Sequence, residues 1–139
     1  MIVGTGLRLQ YEKVEGLKEA LDDPNSKVAS IYQLNFAEKT AALGAALKSG
    51  KAIFTEPALP IKCAGAPQKI LYLWADKWQK QNLPVEVEFF KTNAVMFGVP
   101  KYSQALSEVA AGYNIRTTFK HPLVKVGGNE ATFQNLDSK

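Results

Sequence analysis

From residue 51 to residue 90 the chain runs strand, loop, helix, strand, and this order constrains its fold more than any other feature. Ala52, Ile53, Phe54 and Thr55 form a strand that Pro57 and Pro60 close, because a proline cannot continue a hydrogen-bonded ladder. Pro67 then suits the first turn of a helix, where its missing N–H costs nothing. That helix carries Ile70, Leu73, Trp74 and Trp78 on a core-facing stripe, with Asp76, Lys77 and Lys80 nearer solvent. Asn82 and Pro84 end it, and Val85, Val87 and Phe89 alternate with Glu86 and Glu88 as a half-buried strand. Two strands joined through a helix pair in parallel, so the unit is a Rossmann-like βαβ.

The flanking segments extend this layout. Residues 1–5 read as a buried strand that runs into a turn permitted by Gly4 and Gly6, and its abrupt start suggests a chain cut from something larger. Residues 10–30 hold the turn signal Asp22-Asp23-Pro24-Asn25-Ser26 and read as a long connection with one helical turn at 17–21. A helix is expected near Asn35, which can cap it while Glu38 reaches back. Phe36, Thr40, Leu43, Ala46 and Leu47 would share its inner face, and Gly50 would stop it. Residues 101–111 predict a helix with Tyr102, Leu106, Val109 and Ala110 inward. Ile115, Thr117 and Phe119 predict a strand, and residues 123–126 and 131–133 a hairpin through Gly127-Gly128-Asn129. The expected class is α/β, with a mainly parallel sheet, helices on its faces and a small antiparallel hairpin near the C-terminus. Residues 1–32 are expected to form one part and residues 33–139 a Rossmann domain.

Composition narrows the function. With 139 residues, 46% of them hydrophobic and 22% charged, the chain has the make-up of a single globular unit. The net charge of +4 is spread over dispersed lysines, which argues against nucleic-acid binding. One cysteine excludes an internal disulfide, and one histidine, His121 in a turn-like stretch beside Pro122, leaves almost no raw material for a metal site. His121 reads as an exposed loop residue. No apolar stretch approaches the length of a membrane span, and residues 1–6 lack the features of a signal peptide.

The single cysteine, Cys63, falls between the first strand and the helix of the βαβ unit. A helix start offers unpaired N–H groups and the positive end of the macrodipole, both favourable to a thiolate. Lys62 and Lys69 add positive charge on either side, which points to a redox or nucleophilic sulfur. Redox work by a thiol needs a partner, so three alternatives stand: a partner sulfur elsewhere, a cysteine acting alone, or an inert thiol. Glu56 reads as a strand-end surface carboxylate, with a local acid or base as the alternative. The loop lacks the G-x-G-x-x-G of dinucleotide folds, offering Gly65 alone, and the second strand ends in Phe89-Phe90-Lys91 without the acid that holds a ribose. Nucleotide binding by this unit is therefore not expected.

These blocks resemble the sulfide:quinone oxidoreductases, above all the mitochondrial type. The resemblance rests on Lys51-Ala-Ile-Phe-Thr55, on Pro60-Ile-Lys-Cys-Ala-Gly-Ala-Pro-Gln-Lys-Ile-Leu-Tyr-Leu73, on Phe97-Gly-Val-Pro-Lys-Tyr102 and on Thr132-Phe-Gln-Asn-Leu-Asp137. It implies the central portion of a flavoprotein with two dinucleotide domains. Cys63 would carry a persulfide formed from hydrogen sulfide, a second cysteine beyond Lys139 would pass electrons to FAD, and FAD would reduce quinone. Glutathione or sulfite would then accept the sulfane sulfur. Lys62 and Lys69 would steer hydrosulfide and support the thiolate, and Thr5 and Gly6 would lie near FAD, with Gly4 replacing the usual alanine. The isolated chain is expected neither to retain FAD nor to turn over sulfide. The parent would sit peripherally on the mitochondrial inner membrane in a eukaryote, or on the bacterial cytoplasmic membrane. Competing readings are the NADH-binding domain of a pyridine nucleotide-disulfide reductase or NADH dehydrogenase relative, and a non-catalytic α/β interaction module.

Overall fold

A computed structural model describes residues 1–138. In chain order the elements are a 3₁₀ turn (Tyr11–Lys13), α1 (Leu17–Asp22), α2 (Leu34–Ala46), β1 (Gly50–Glu56), α3 (Ala66–Lys80), β2 (Val85–Lys91), α4 (Pro100–Gly112), β3 (Arg116–Thr118), β4 (Leu123–Gly127) and β5 (Glu130–Phe133). The expected βαβ unit is present, with β1 parallel to β2 from Gly50 opposite Val85 to Glu56 opposite Lys91. β3 joins the far side of β2, also in parallel, which makes β2 the central strand. β4 and β5 form a separate antiparallel hairpin.

The core lies between this sheet and its crossover helices. Val87 and Phe89 of β2 meet Leu71, Ala75 and Trp78 of α3, Ala110 of α4, and Met96 and Ile115 from the neighbouring connections. Leu71 and Phe89 are completely buried, and burial of each such side chain contributes about 1.5–3 kcal/mol. α2 docks on α3 where the Trp78 indole N–H donates to the Gly44 carbonyl at 3.0 Å. Trp74 stacks on Trp78 with ring centroids 5.5 Å apart. On the other face of the sheet the Glu88 carboxylate bonds to Lys51 and Arg116, bridging all three strands.

Several local expectations are corrected. Residues 1–5 form no strand; they are exposed and have no neighbour to supply the ladder that a strand requires. α2 begins at Leu34 with Gln33 before it, so Asn35 lies inside the helix and makes no cap bond. Gly50 does not stop α2; it opens β1 at φ 100°, its N–H donating to the Pro84 carbonyl. The buried stripe of α3 is Pro67, Gln68, Leu71, Ala75 and Trp78, while Leu73 is exposed. On α4, Tyr102 and Val109 face solvent and only Ala110 is fully buried. Glu88, expected on the wet side of a half-buried strand, is itself buried, because β2 is central. His121 is half-buried, its Nδ1 2.7 Å from the Phe119 carbonyl and its ring against Phe90.

The hairpin closes in space against the start of the chain. Glu15 N–H donates to the Val124 carbonyl, and Val126 N–H to that of Glu15. Gly16 makes this approach possible, since a Cβ there would lie 2.1 Å from the Val126 carbonyl oxygen and φ is 73°. The second of the two parts expected from sequence therefore contributes a hairpin that packs on the first. Phe133 stacks on Phe90 at 3.8 Å between centroids, tying the hairpin to β2 as well.

Candidate functional site

The carboxyl ends of parallel strands are where open α/β sheets take up ligands, and here the β1–α3 loop rises from such an end. Residues 57–65 are rich in proline and carry Cys63 three positions before Ala66, the first residue of α3. Gly65 occupies the N-cap and Pro67 lies in the first turn, so the prolines and glycine that end β1 also set where α3 begins. The Cys63 thiol is free and exposed. Its carbonyl accepts two hydrogen bonds, from the Ala66 N–H at 3.2 Å and from the Tyr32 hydroxyl at 3.0 Å. Cys63 thus stands just outside the helix start, its backbone taking up one of the orphan donors. Lys62 and Lys69, the flanking cations, are both exposed.

Tyr32 comes from the segment before α2 and is half-buried. Burial pushes its phenol up to about 12, with the negative charges of Cys63 and Glu56 adding to the effect. The hydroxyl therefore stays a protonated donor throughout the neutral range. Neither Tyr32 nor this contact was visible in the sequence, because the partners are 31 residues apart and no local pattern joins them.

Below the loop lies an ion pair that sequence reasoning placed wrongly. Glu56 ends β1 and Lys91 ends β2, directly opposite each other in register. The Lys91 ammonium is 2.5 Å from Glu56 Oε2, with side-chain exposures of only 1% and 3%. Asn93 donates to Glu56 Oε1 at 3.0 Å, and the Thr92 N–H and hydroxyl both reach the Glu56 carbonyl. Glu56 is therefore a buried structural anion. Residues 94–99 are tied to α3 from beneath by the buried Gln68, whose amide donates to the Met96 carbonyl at 2.8 Å. The crest over which a dinucleotide would cross is thus filled by paired charge, and the loop above it has a single glycine at Gly65.

Thr5 and Gly6 stand in the segment before the 3₁₀ turn. Both are exposed in an irregular segment, and among the described residues no hydrogen bond ties residues 1–7 to the rest of the chain. Gly6 has φ 68°, a backbone conformation that favours glycine. Among the described residues no cluster of three or more His, Cys, Asp or Glu side chains could hold a metal ion, and no helix is long and apolar enough to cross a membrane. A cleft lined by Trp78, Gln79, Glu86, Asn114 and Arg116 opens at the amino ends of the strands, away from Cys63.

Comparison with known proteins places this geometry among relatives. No protein-family model matches the chain. It is 36% identical over 143 residues to the mitochondrial sulfide:quinone oxidoreductase of Schizosaccharomyces pombe, and the match takes in 99% of the chain and 31% of that protein. The mouse protein of the same description is 38% identical over 141 residues, covering 99% and 31% respectively. That of Dictyostelium discoideum is 40% identical over 139 residues, covering 96% and 30%. The chain therefore spans about a third of the length of these relatives. Among solved structures, the sulfide:quinone oxidoreductase of Aquifex aeolicus superposes with a TM-score of 0.72 at 18% identity, over 97% of this chain and 32% of that one. A chain of the Tetrahymena thermophila mitochondrial ATP synthase superposes at 0.68 with 19% identity, over 94% and 34%. At such identities these two likenesses establish the fold.

Proposed function

We infer that this chain, which belongs by sequence with the sulfide:quinone oxidoreductases, carries at Cys63 the cysteine on which such an enzyme collects sulfur. One observation carries the reading: the only cysteine is an accessible thiol at the carboxyl end of a parallel sheet, in a loop fixed at its own backbone carbonyl. An inert structural cysteine would be packed among apolar side chains.

The chemistry proposed for Cys63 starts from a disulfide between it and a second cysteine, which this chain does not contain. Hydrosulfide attacks the Cys63 sulfur, a new S–S bond forms and the old one breaks. Cys63 is left holding a persulfide, and the second cysteine departs as a thiolate carrying the electron pair. Hydrosulfide is an anion, and Lys62 and Lys69 raise its local concentration beside the loop. For the whole protein we propose sulfide oxidation with FAD as the redox group, quinone as the final acceptor, and glutathione or sulfite as recipient of the sulfane sulfur. Thr5 and Gly6 are proposed to lie near FAD in the whole protein, and the sulfur step on Cys63 does not depend on them. Mitochondrial residence, peripheral to the inner membrane, belongs to the same proposal, with the bacterial cytoplasmic membrane surface as its counterpart. So does the division into residues 1–32 and 33–139, in which the hairpin of the second part packs on the first.

The test is transfer of sulfane sulfur. Incubation of the chain with inorganic polysulfide is expected to add whole sulfur atoms to Cys63 by intact mass, removed again by a thiol reductant. Cys63→Ser should gain none. A wild-type chain that takes up no sulfur while remaining folded contradicts the reading.

A further inference from the structure

Residues 57–65 connect β1 to α3 with little holding them. Among the described residues, one hydrogen bond reaches this stretch from a distant segment, and it runs from the Tyr32 hydroxyl to the Cys63 carbonyl at 3.0 Å. The bond ends on the cysteine itself, so Tyr32 fixes the backbone from which the sulfur projects. Tyr32 is in turn anchored: its N–H donates to the Ser30 hydroxyl at 3.3 Å, that hydroxyl lies 2.8 Å from the Tyr11 phenol oxygen, and the Thr40 hydroxyl donates to the Ser30 carbonyl at 3.4 Å. Thr40 belongs to α2 and Tyr11 to the 3₁₀ turn, so the clamp transmits the position of two elements to the loop.

We propose that Tyr32 is a positioning residue for the Cys63 sulfur, holding it in the electrostatic field of the α3 start and of Lys62 and Lys69. This rests on the reading of Cys63 as a nucleophile toward an anionic sulfur substrate. Glu56 and Tyr11 are the other ionisable groups near the phenol, and Glu56 is neutralised by Lys91. Lys62 and Lys69 are the exposed cations that flank Cys63, and a loop free to swing away from the α3 start would lose part of the field there.

The experiment compares the rates at which Cys63 is alkylated by anionic iodoacetate and by neutral iodoacetamide. Their ratio cancels the thiolate fraction and reads the local potential in chains shown by circular dichroism to be fully folded under the assay conditions. In the wild-type chain the ratio is expected to exceed that of the urea-unfolded chain. Tyr32→Phe should bring it most of the way to the unfolded value and speed amide exchange at Ala66, whose N–H donates to the same carbonyl, roughly fivefold. Ser30→Ala, which loosens the anchor without touching the phenol, should move both readings in the same direction by less, and serves if Tyr32→Phe fails to fold. Tyr72→Phe removes a comparable hydroxyl-to-carbonyl bond, to Leu106, far from the loop in sequence, and should leave both unchanged.

An unchanged ratio and unchanged exchange in Tyr32→Phe overturn the proposal, while uptake of polysulfide sulfur by the wild-type chain would leave the reading of Cys63 standing. A wild-type ratio no higher than the unfolded one also overturns it, since no field then exists to be held. Faster exchange with an unaltered ratio does so too, because the bond then serves the backbone and not the sulfur.

Discussion

Lys91 and Glu56, the last residues of two adjacent parallel strands, form a buried ion pair 2.5 Å long immediately below the loop that carries Cys63. The pair is completed by Asn93 on the second carboxylate oxygen. Removing one charge would strand the other in an environment that cannot solvate it.

Glu56→Leu and Lys91→Met should therefore each destabilise the chain by about 3–5 kcal/mol, measured by urea denaturation. The double variant Glu56→Leu/Lys91→Met should recover most of that loss, because apolar residues tolerate the site better than a lone charge does. Additive losses in the double variant would show that the two residues do not act as a pair.

The same pair bears on nucleotide binding. Titration with NADH, followed by the emission of Trp74 and Trp78, should give no saturable change at millimolar ligand, since the crest is filled and the loop lacks the glycines that let a backbone approach pyrophosphate. A saturable quench would restore the dinucleotide-domain reading.

Tyr72 supplies a pH dependence. Burial raises its phenol from 10.0 to about 12 in the folded chain. The folded state thus holds the proton more tightly than the unfolded state, so its contribution is fully present below pH 10 and is lost as pH climbs toward 12. Tyr32 is shifted in the same direction, to about 12, and adds to the decline. Urea midpoints should fall over this alkaline window, and the fall should be shallower in Tyr72→Phe, which costs about 1 kcal/mol at neutral pH through its lost hydrogen bond. Equal slopes in both chains would count against the assignment.

Gly44→Ala should destabilise by about 1–3 kcal/mol, although alanine is the better helix former by about 1 kcal/mol. A Cβ at this position would lie 2.2 Å from Trp74 Cε2, so α2 could keep its place on α3 only if the stacked indoles moved. Thermal unfolding followed by tryptophan emission measures both effects, and a stabilised variant would show that the indoles give way freely.

What the sequence revealed depended on how local each signal is. The βαβ unit and the hairpin are encoded in periodicity and turn residues within short windows, and both are present with nearly the expected bounds. The phase of α3 was less legible, because residues 70–75 are apolar or aromatic throughout and a continuous run does not say which face turns inward. Leu71 and Ala75 are buried because they share a face with Gln68 and Trp78, while Leu73 lies opposite. Glu56 was misread because its partner is 35 residues away and reaches it only across the sheet register. The setting of Cys63 was clearer: the prolines after β1 and Pro67 at the start of α3 put it between strand and helix, where it lies, while the exposure of its thiol is a fact of the fold. The hold that Tyr32 has on it depends on tertiary packing alone.

The central claim is that the fold presents Cys63 as an accessible sulfur, and alkylation at pH 7 by iodoacetamide tests it most directly. The account predicts that Cys63 of the folded chain is alkylated completely and no more slowly than in the same chain unfolded in urea, because the thiol is exposed in the β1–α3 loop. A folded chain whose thiol reacts only on unfolding contradicts it.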